Sequence, residues 1–99
     1  FLVELTRDTA LEIRELDVEL FSGYRTFFKR GRQIALASRV YWAAWAIDRG
    51  YYSFAEFMLD RVADRIDGQS PPSDWMPESM EKTELYDQVL LLIDLLALL

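Results

Sequence analysis

The stretch IALASRVYWAAWAIDRGYYSFAEFMLDRVADRID, residues 34–67, decides the fold. Its apolar positions recur at helical spacing on both sides of Asp48-Arg49-Gly50, so it reads as two helices folded back on each other at that turn. Seven of the fourteen aromatic residues lie in it, which makes it the unit against which the rest of the chain packs. The first helix of the pair, about 33 to 48, carries Leu36, Val40, Tyr41, Trp42, Trp45 and Ile47 nearly all round and is expected to be the central, most buried element. In the second, about 51 to 67, Tyr52, Ala55, Leu59, Val62 and Ile66 share one face, while Glu56, Asp60, Asp64 and Asp67 form an acidic face opposite. Gly68 then ends it.

Working back toward the start, Leu2, Leu5, Ile13, Leu16, Leu20, Tyr24 and Phe27 keep one helical phase, flanked by Phe21 and Phe28. That phase predicts one long first helix, about 2 to 30, bent at Gly23 and ending at Lys29-Arg30-Gly31-Arg32, where cations suit the last turn. On the other side, 68–78 is a linker, because Pro71, Pro72 and Pro77 remove backbone donors and restrict their predecessors. Trp75-Met76 is an apolar plug within it, and Ser79 is placed to cap a fourth helix running from about 80 to the end. No stretch shows the period-two alternation of a strand. The expected fold is all-α, a compact four-helix antiparallel bundle with a long first helix and a central apolar helical hairpin, forming a single domain over 1–99.

Composition narrows the function classes. A 52% apolar chain of 99 residues suits one core, burying roughly 65% of the surface its unfolded form exposes. It contains no His and no Cys, so the commonest general base, metal ligand and redox nucleophile are missing, and no cofactor or metal is expected. Cys-free composition fits a reducing interior, and cytoplasmic is the expected location. A net charge of −6 and a pI near 4.5 oppose general affinity for nucleic acid or anionic membrane. The apolar run Val89–Leu99, interrupted by Asp94, falls short of the ~20 residues of a bilayer span and reads as a core helix. The chain starts at Phe1 and stops within that run, so it is expected to belong to a longer protein; no signal-peptide pattern opens it.

At the hairpin, Gly50-x-Tyr52-x-x-Ala55-x-Phe57, with Ala43, Ala44 and Ala46 in the preceding helix, resembles the inter-helix turn of a tetratricopeptide unit and the helical pair of HEPN domains, over about 30 residues. No second copy follows at a 34-residue period, which argues against a tetratricopeptide array. HEPN ribonucleases use an Arg followed by a His near this helix. Here Arg61 and Arg65 have no His to serve them, so the resemblance implies a non-catalytic HEPN-like member.

Four sets of residues are candidates for function. Arg25, Lys29, Arg30, Arg32 and Arg39 lie in a stretch, 20–47, without a single acid. They suit a phosphate, RNA or acidic-protein contact, or else pair with the chain's own carboxylates, the latter being favoured. The neighbouring Tyr24, Phe27 and Phe28 are assigned to the core. Glu56, Asp60 and Asp64 stack like charges at i, i+4 and i+8, which calls for a cation or for solvation. Asp17, within the apolar arc, is the one candidate for acid–base chemistry, with Tyr24 or a carboxylate beside it. Finally, the last helix holds more Leu than one apolar stripe requires. Leu91 and Leu98 are assigned to self-association, with a second stripe, Leu11 and Val18, on the first helix. The expected function is a non-catalytic helical protein–protein interaction or oligomerisation module, homodimeric, of the regulatory or adaptor kind. Nucleic-acid or phosphate binding through residues 25–39 is the alternative.

Overall fold

The computed structural model describes residues 1–69 and 74–99, which form four helices: α1 (Leu2–Glu15), α2 (Thr26–Asp48), α3 (Tyr52–Asp64) and α4 (Met80–Leu96). No strand occurs among the described residues, and the all-α bundle expected from periodicity is what forms. The helices pack as a ring, α1 on α2, α2 on α3, α3 on α4 and α4 on α1, around one core containing Ile13, Leu36, Val40, Leu59, Val62 and Leu92. The hairpin turns where its sequence says it should. Gly50 takes φ +80°, a left-handed conformation that glycine adopts without a Cβ clash, and Arg49 to Tyr51 reverse the chain between α2 and α3. The linker residues Ser70, Pro71, Pro72 and Ser73 lie outside the described residues.

The long first helix does not exist. α1 stops at Glu15, the chain runs through a short 3₁₀ turn (Val18–Leu20), and a new helix starts at Thr26. Three features, two local and one from α2, hold the break. The Asp17 carboxylate accepts the Glu19 N–H at 3.0 Å, capping the 3₁₀ turn. Gly23 takes φ +148°, and a Cβ there would meet Phe28 Cβ at 3.0 Å, so the reversal needs glycine. Third, the Gln33 side-chain amide, buried at 3% exposure, donates toward the carbonyls of Ile13 (2.9 Å), Leu16 (2.7 Å) and, more weakly, Arg14 (3.3 Å). Carbonyls at a helix C-terminus have no partner within the helix; here α2 supplies one. Unbroken periodicity over 2–28 misled because Phe21, in the connection, still turns into the core at 1% exposure.

Two buried threonines complete α1. Thr6 and Thr9 sit in the core face because each hydroxyl donates to the carbonyl one turn back, Leu2 at 2.7 Å and Leu5 at 2.9 Å. The other end of the bundle is held by residues 74–82. The Trp75 N–H donates to the Arg65 carbonyl (2.7 Å) and the Ser22 N–H to the Trp75 carbonyl (2.8 Å), strapping this segment across α3 and the α1–α2 connection. Met76 fills the core at 1% exposure, as the apolar plug requires. Ser79 caps α4, its hydroxyl accepting the Lys82 N–H at 3.0 Å. The Lys82 ammonium, itself buried, reaches Asp74 (2.5 Å) and Glu78 (2.7 Å), and Asp74 also accepts the Gly68 N–H at 2.7 Å.

These fastenings set the stability. Gln33→Leu leaves the end of α1 without a donor while keeping the volume roughly constant, and is expected to lower stability by about 1–3 kcal/mol in urea melts. A near-neutral result there would show that the cap is dispensable. At Lys82, burial lowers the ammonium's pKa, but the hydrogen bonds and charges of Asp74 and Glu78 outweigh it and raise the pKa above the ordinary value. Its stabilisation is therefore complete below the unfolded value of about 10.4 and is lost as pH rises through the higher folded value. Lys82→Met should cost about 3 kcal/mol at pH 7 by stranding Asp74, and the difference from wild type should shrink only above a pH of about 10.4.

Candidate functional site

Surface chemistry concentrates in three places, and the helix break decides the first and the third of them. The first is a groove of about 450 Å³ between α1 and α2. Ala10 and Ala37 form its floor, because small side chains let the two helices approach closely. Ile34, Tyr41 and Trp42 of α2 stand along one wall, each about half exposed. Arg7, Leu11 and Arg14 of α1 stand along the other. Trp42 belongs to a string of touching rings, Tyr41, Trp42, Trp45 and Tyr51, with centroids 5.8 to 6.1 Å apart, so that wall is stiff. α2 is therefore central on one side only. It is the helix with the most buried residues, packed against α1, α3 and the 3₁₀ turn, but its aromatic face stays open.

The second place lies on the α2–α3 side. Arg32 and Arg39, seven residues apart on α2, and Arg65 at the end of α3 set their guanidiniums over the Trp75 ring at 6.0, 4.9 and 4.8 Å from its centroid. Arg39, Arg61, Asp64 and Arg65 then line a cleft of about 90 Å³. Burial, together with the charges of Arg61 and Arg65, lowers the pKa of the Arg39 guanidinium, which stays protonated at neutral pH.

The third place is the surface around the start of α2, where most of the expected basic patch falls. Arg25, Lys29, Arg30, Arg32 and Arg39 are not one surface. Arg25, Lys29, Arg30 and Arg32 open α2 instead of closing α1, Arg39 lies in its middle, and along a helix rising ~1.5 Å per residue, Arg30 and Arg39 stand roughly 14 Å apart on opposite faces. Lys29 pairs with Glu19 at 2.6 Å, and Arg32 donates to the Ser22 hydroxyl and carbonyl, so internal pairing accounts for two of the five. Arg25 and Arg30 are exposed. Tyr24, Phe27 and Phe28 are not core residues; at 100, 80 and 52% exposure they stand beside those two cations, since the break rotates them away from the bundle. Asp17 is likewise exposed and capping a turn, not buried in the apolar arc. Gly31 lies within α2 and ends nothing.

On α3, Glu56, Asp60 and Asp64 form the exposed acidic stack, whereas Asp67 falls past the helix end and accepts the Gln69 N–H at 2.9 Å. Among the described residues no cluster of acids could hold a metal ion. Leu11, Leu91 and Leu98 are exposed at 51, 45 and 82%. Val18 is half-buried in the 3₁₀ turn and shares no stripe with Leu11. The residues sequence reasoning missed are Arg61 and Arg65 as members of a basic cluster; their i, i+4 spacing opposite Arg32 and Arg39 was the available signal. No family model, no curated protein and no solved structure matches this chain. No helix among the described residues is long and apolar enough to cross a membrane.

The acidic stack generates its own test. Partial burial, then Glu56 and Asp64 in turn, raises the pKa of Asp60. A carboxylate whose folded pKa is raised binds more proton in the native state, so stability falls as pH rises from the ordinary Asp value near 3.9 upward. Asp60→Asn should remove that loss and stabilise the protein at pH 7 by roughly 0.2–0.5 kcal/mol for each relieved i, i+4 pair. Destabilisation at pH 7 in thermal melts would mean the Asp60 charge is paired.

Proposed function

We propose that this chain is a non-catalytic helical interaction module that pairs with a second copy of itself, the outer face of α4 from one copy lying in the α1–α2 groove of the other. The observation that carries this reading is a match of spacing and charge. Arg7, Leu11 and Arg14 on α1 are exposed at i, i+4 and i+7, and Asp87, Leu91 and Asp94 on α4 are exposed at the same intervals. Two helices laid in parallel register bring each carboxylate opposite a guanidinium and each Leu opposite a Leu. Leu98, in the turn that follows α4, extends the apolar line.

Both halves of the contact are on one chain, and α1 borders both α2 and α4 in the ring. A two-fold exchange can therefore close on itself without leaving a free groove. Aromatic and Arg side chains, here Tyr41, Trp42, Arg7 and Arg14, are the types enriched in the buried centre of interfaces. Val18 drops out of the self-association surface, and Leu11, Leu91 and Leu98 remain in it. A module of this kind suits a regulatory or adaptor subunit. Binding of nucleic acid through residues 25–39 has less support, since Lys29 and Arg32 are engaged internally.

Light scattering on a sizing column tests the pairing. The wild-type protein should elute at the mass of two chains. Asp87→Arg with Asp94→Arg, and separately Arg7→Asp with Arg14→Asp, should each give a folded monomer, and mixing the two variants should restore a dimer. A wild-type monomer throughout the micromolar range, or no recovery on mixing two folded variants, would overturn the reading.

A further inference from the structure

The cleft formed by Arg39, Arg61, Asp64 and Arg65 lies on the α2–α3 side of the bundle and takes no part in the pairing surface. Two features set it apart from an ordinary solvated charge cluster. Like charges are held together by rigid elements: Arg39 comes from the middle of α2, Arg61 and Arg65 from successive turns at the end of α3, and Trp75 buttresses two of them from beneath. The burial and mutual charge of these groups act against the protonated form of Arg39, so the folded chain bears an electrostatic cost there. Among the described residues, neither Arg39 nor Arg61 makes an ion pair with a carboxylate of the chain. Asp64 also lines it, and the formal charges of the four lining residues, three arginines and one aspartate, sum to +2.

We propose that this cleft is a binding site for a single phosphoryl group, carried by a small phosphate monoester or by free phosphate. A dianion matches the charge of the cleft, and its tetrahedral oxygens can accept the forked N–H pairs that arginine presents and lysine does not. The size also fits. A space of about 90 Å³ holds one tetrahedral oxyanion, the volume of roughly three waters, and leaves the organic part of a monoester outside. Arg61 stands over the Phe57 ring at 5.4 Å from its centroid, which restrains its side chain and lowers the entropy lost on binding.

The test is a titration of the ¹⁵N-labelled protein with inorganic phosphate and with phenyl phosphate at low ionic strength. It follows the Arg side-chain N–H signals and the Trp75 indole N–H, with sodium chloride at equal ionic strength as the control. Saturable shifts confined to Arg39, Arg61, Arg65 and Trp75, at millimolar concentration or below, are expected for both anions and absent for chloride. Phenyl phosphate binding about as tightly as phosphate would assign the site to the phosphoryl group alone; tighter binding would assign it to the monoester. Arg61→Gln, at an exposed position, should weaken binding at least tenfold with the thermal midpoint unchanged or higher, because a repulsion has been removed. Arg39→Gln should do the same if it folds. Absence of saturable shifts, or shifts that persist undiminished in Arg61→Gln, would overturn the proposal. So would tight binding of a short single-stranded oligonucleotide whose shifts spread to Arg25 and Arg30, since that would make the surface one for a polyanion.

Discussion

The bundle depends on how the carbonyls at the end of α1 are satisfied. A helix that stops inside a protein exposes acceptors that would be costly to bury unpaired, and here they converge on the amide of Gln33, a residue of the next helix. Because that donor comes from α2, α1 can end only where α2 lies against it. The interruption and the docking are thus one event. The start of α2 and the residues around it are displaced by it. α2 begins at Thr26 instead of near Gln33, its cations stand at its start instead of at the end of α1, and Tyr24, Phe27 and Phe28 face water.

A second fastening closes the ring. Residues 74–76 add no helix, yet the backbone of Trp75 joins α3 to the α1–α2 connection, and Asp74 ties the turn at Gly68 to α4 through Lys82. The Oδ1 oxygen of Asp74 is buried and meets no donor among the described residues. The ammonium of Lys82 therefore carries most of the compensation for placing that carboxylate inside. The same strap sets the Trp75 ring against Arg39 and Arg65, beside the basic cleft.

The surfaces left over are unusual for a chain this small, with large apolar side chains exposed on every helix. Extended apolar surface marks interaction more often than it marks nothing. The groove, the outer face of α4 and the arginine cleft divide that surface into an apolar region, where we propose pairing, and a polar one on another side of the bundle. Binding at the one need not obstruct the other, which is the arrangement a ligand-responsive interaction module would require.

The class of fold was legible because helical spacing is a local property: the hairpin at Asp48–Gly50, the cap at Ser79, the plug at Met76 and the acidic face of α3 each follow from a few neighbouring residues. That Leu11, Leu91 and Leu98 stay exposed was legible for the same reason, since they lie outside the one stripe that each helix buries. Where α1 ends was not, because an apolar phase running through Phe21 looks the same whether the chain continues or turns back, and the deciding hydrogen bonds come from Gln33, seventeen residues beyond Leu16. The division of the basic residues and the assembly of Arg39, Arg61 and Arg65 were hidden likewise, since they unite side chains from two helices across a contact. The amino-acid sequence by itself determined that the fold is all-α and, outside the connection between α1 and α2, which segments are helical. Only the tertiary structure decided which faces are covered and which charges meet, because burial and electrostatic pairing depend on distances between elements that no local pattern encodes.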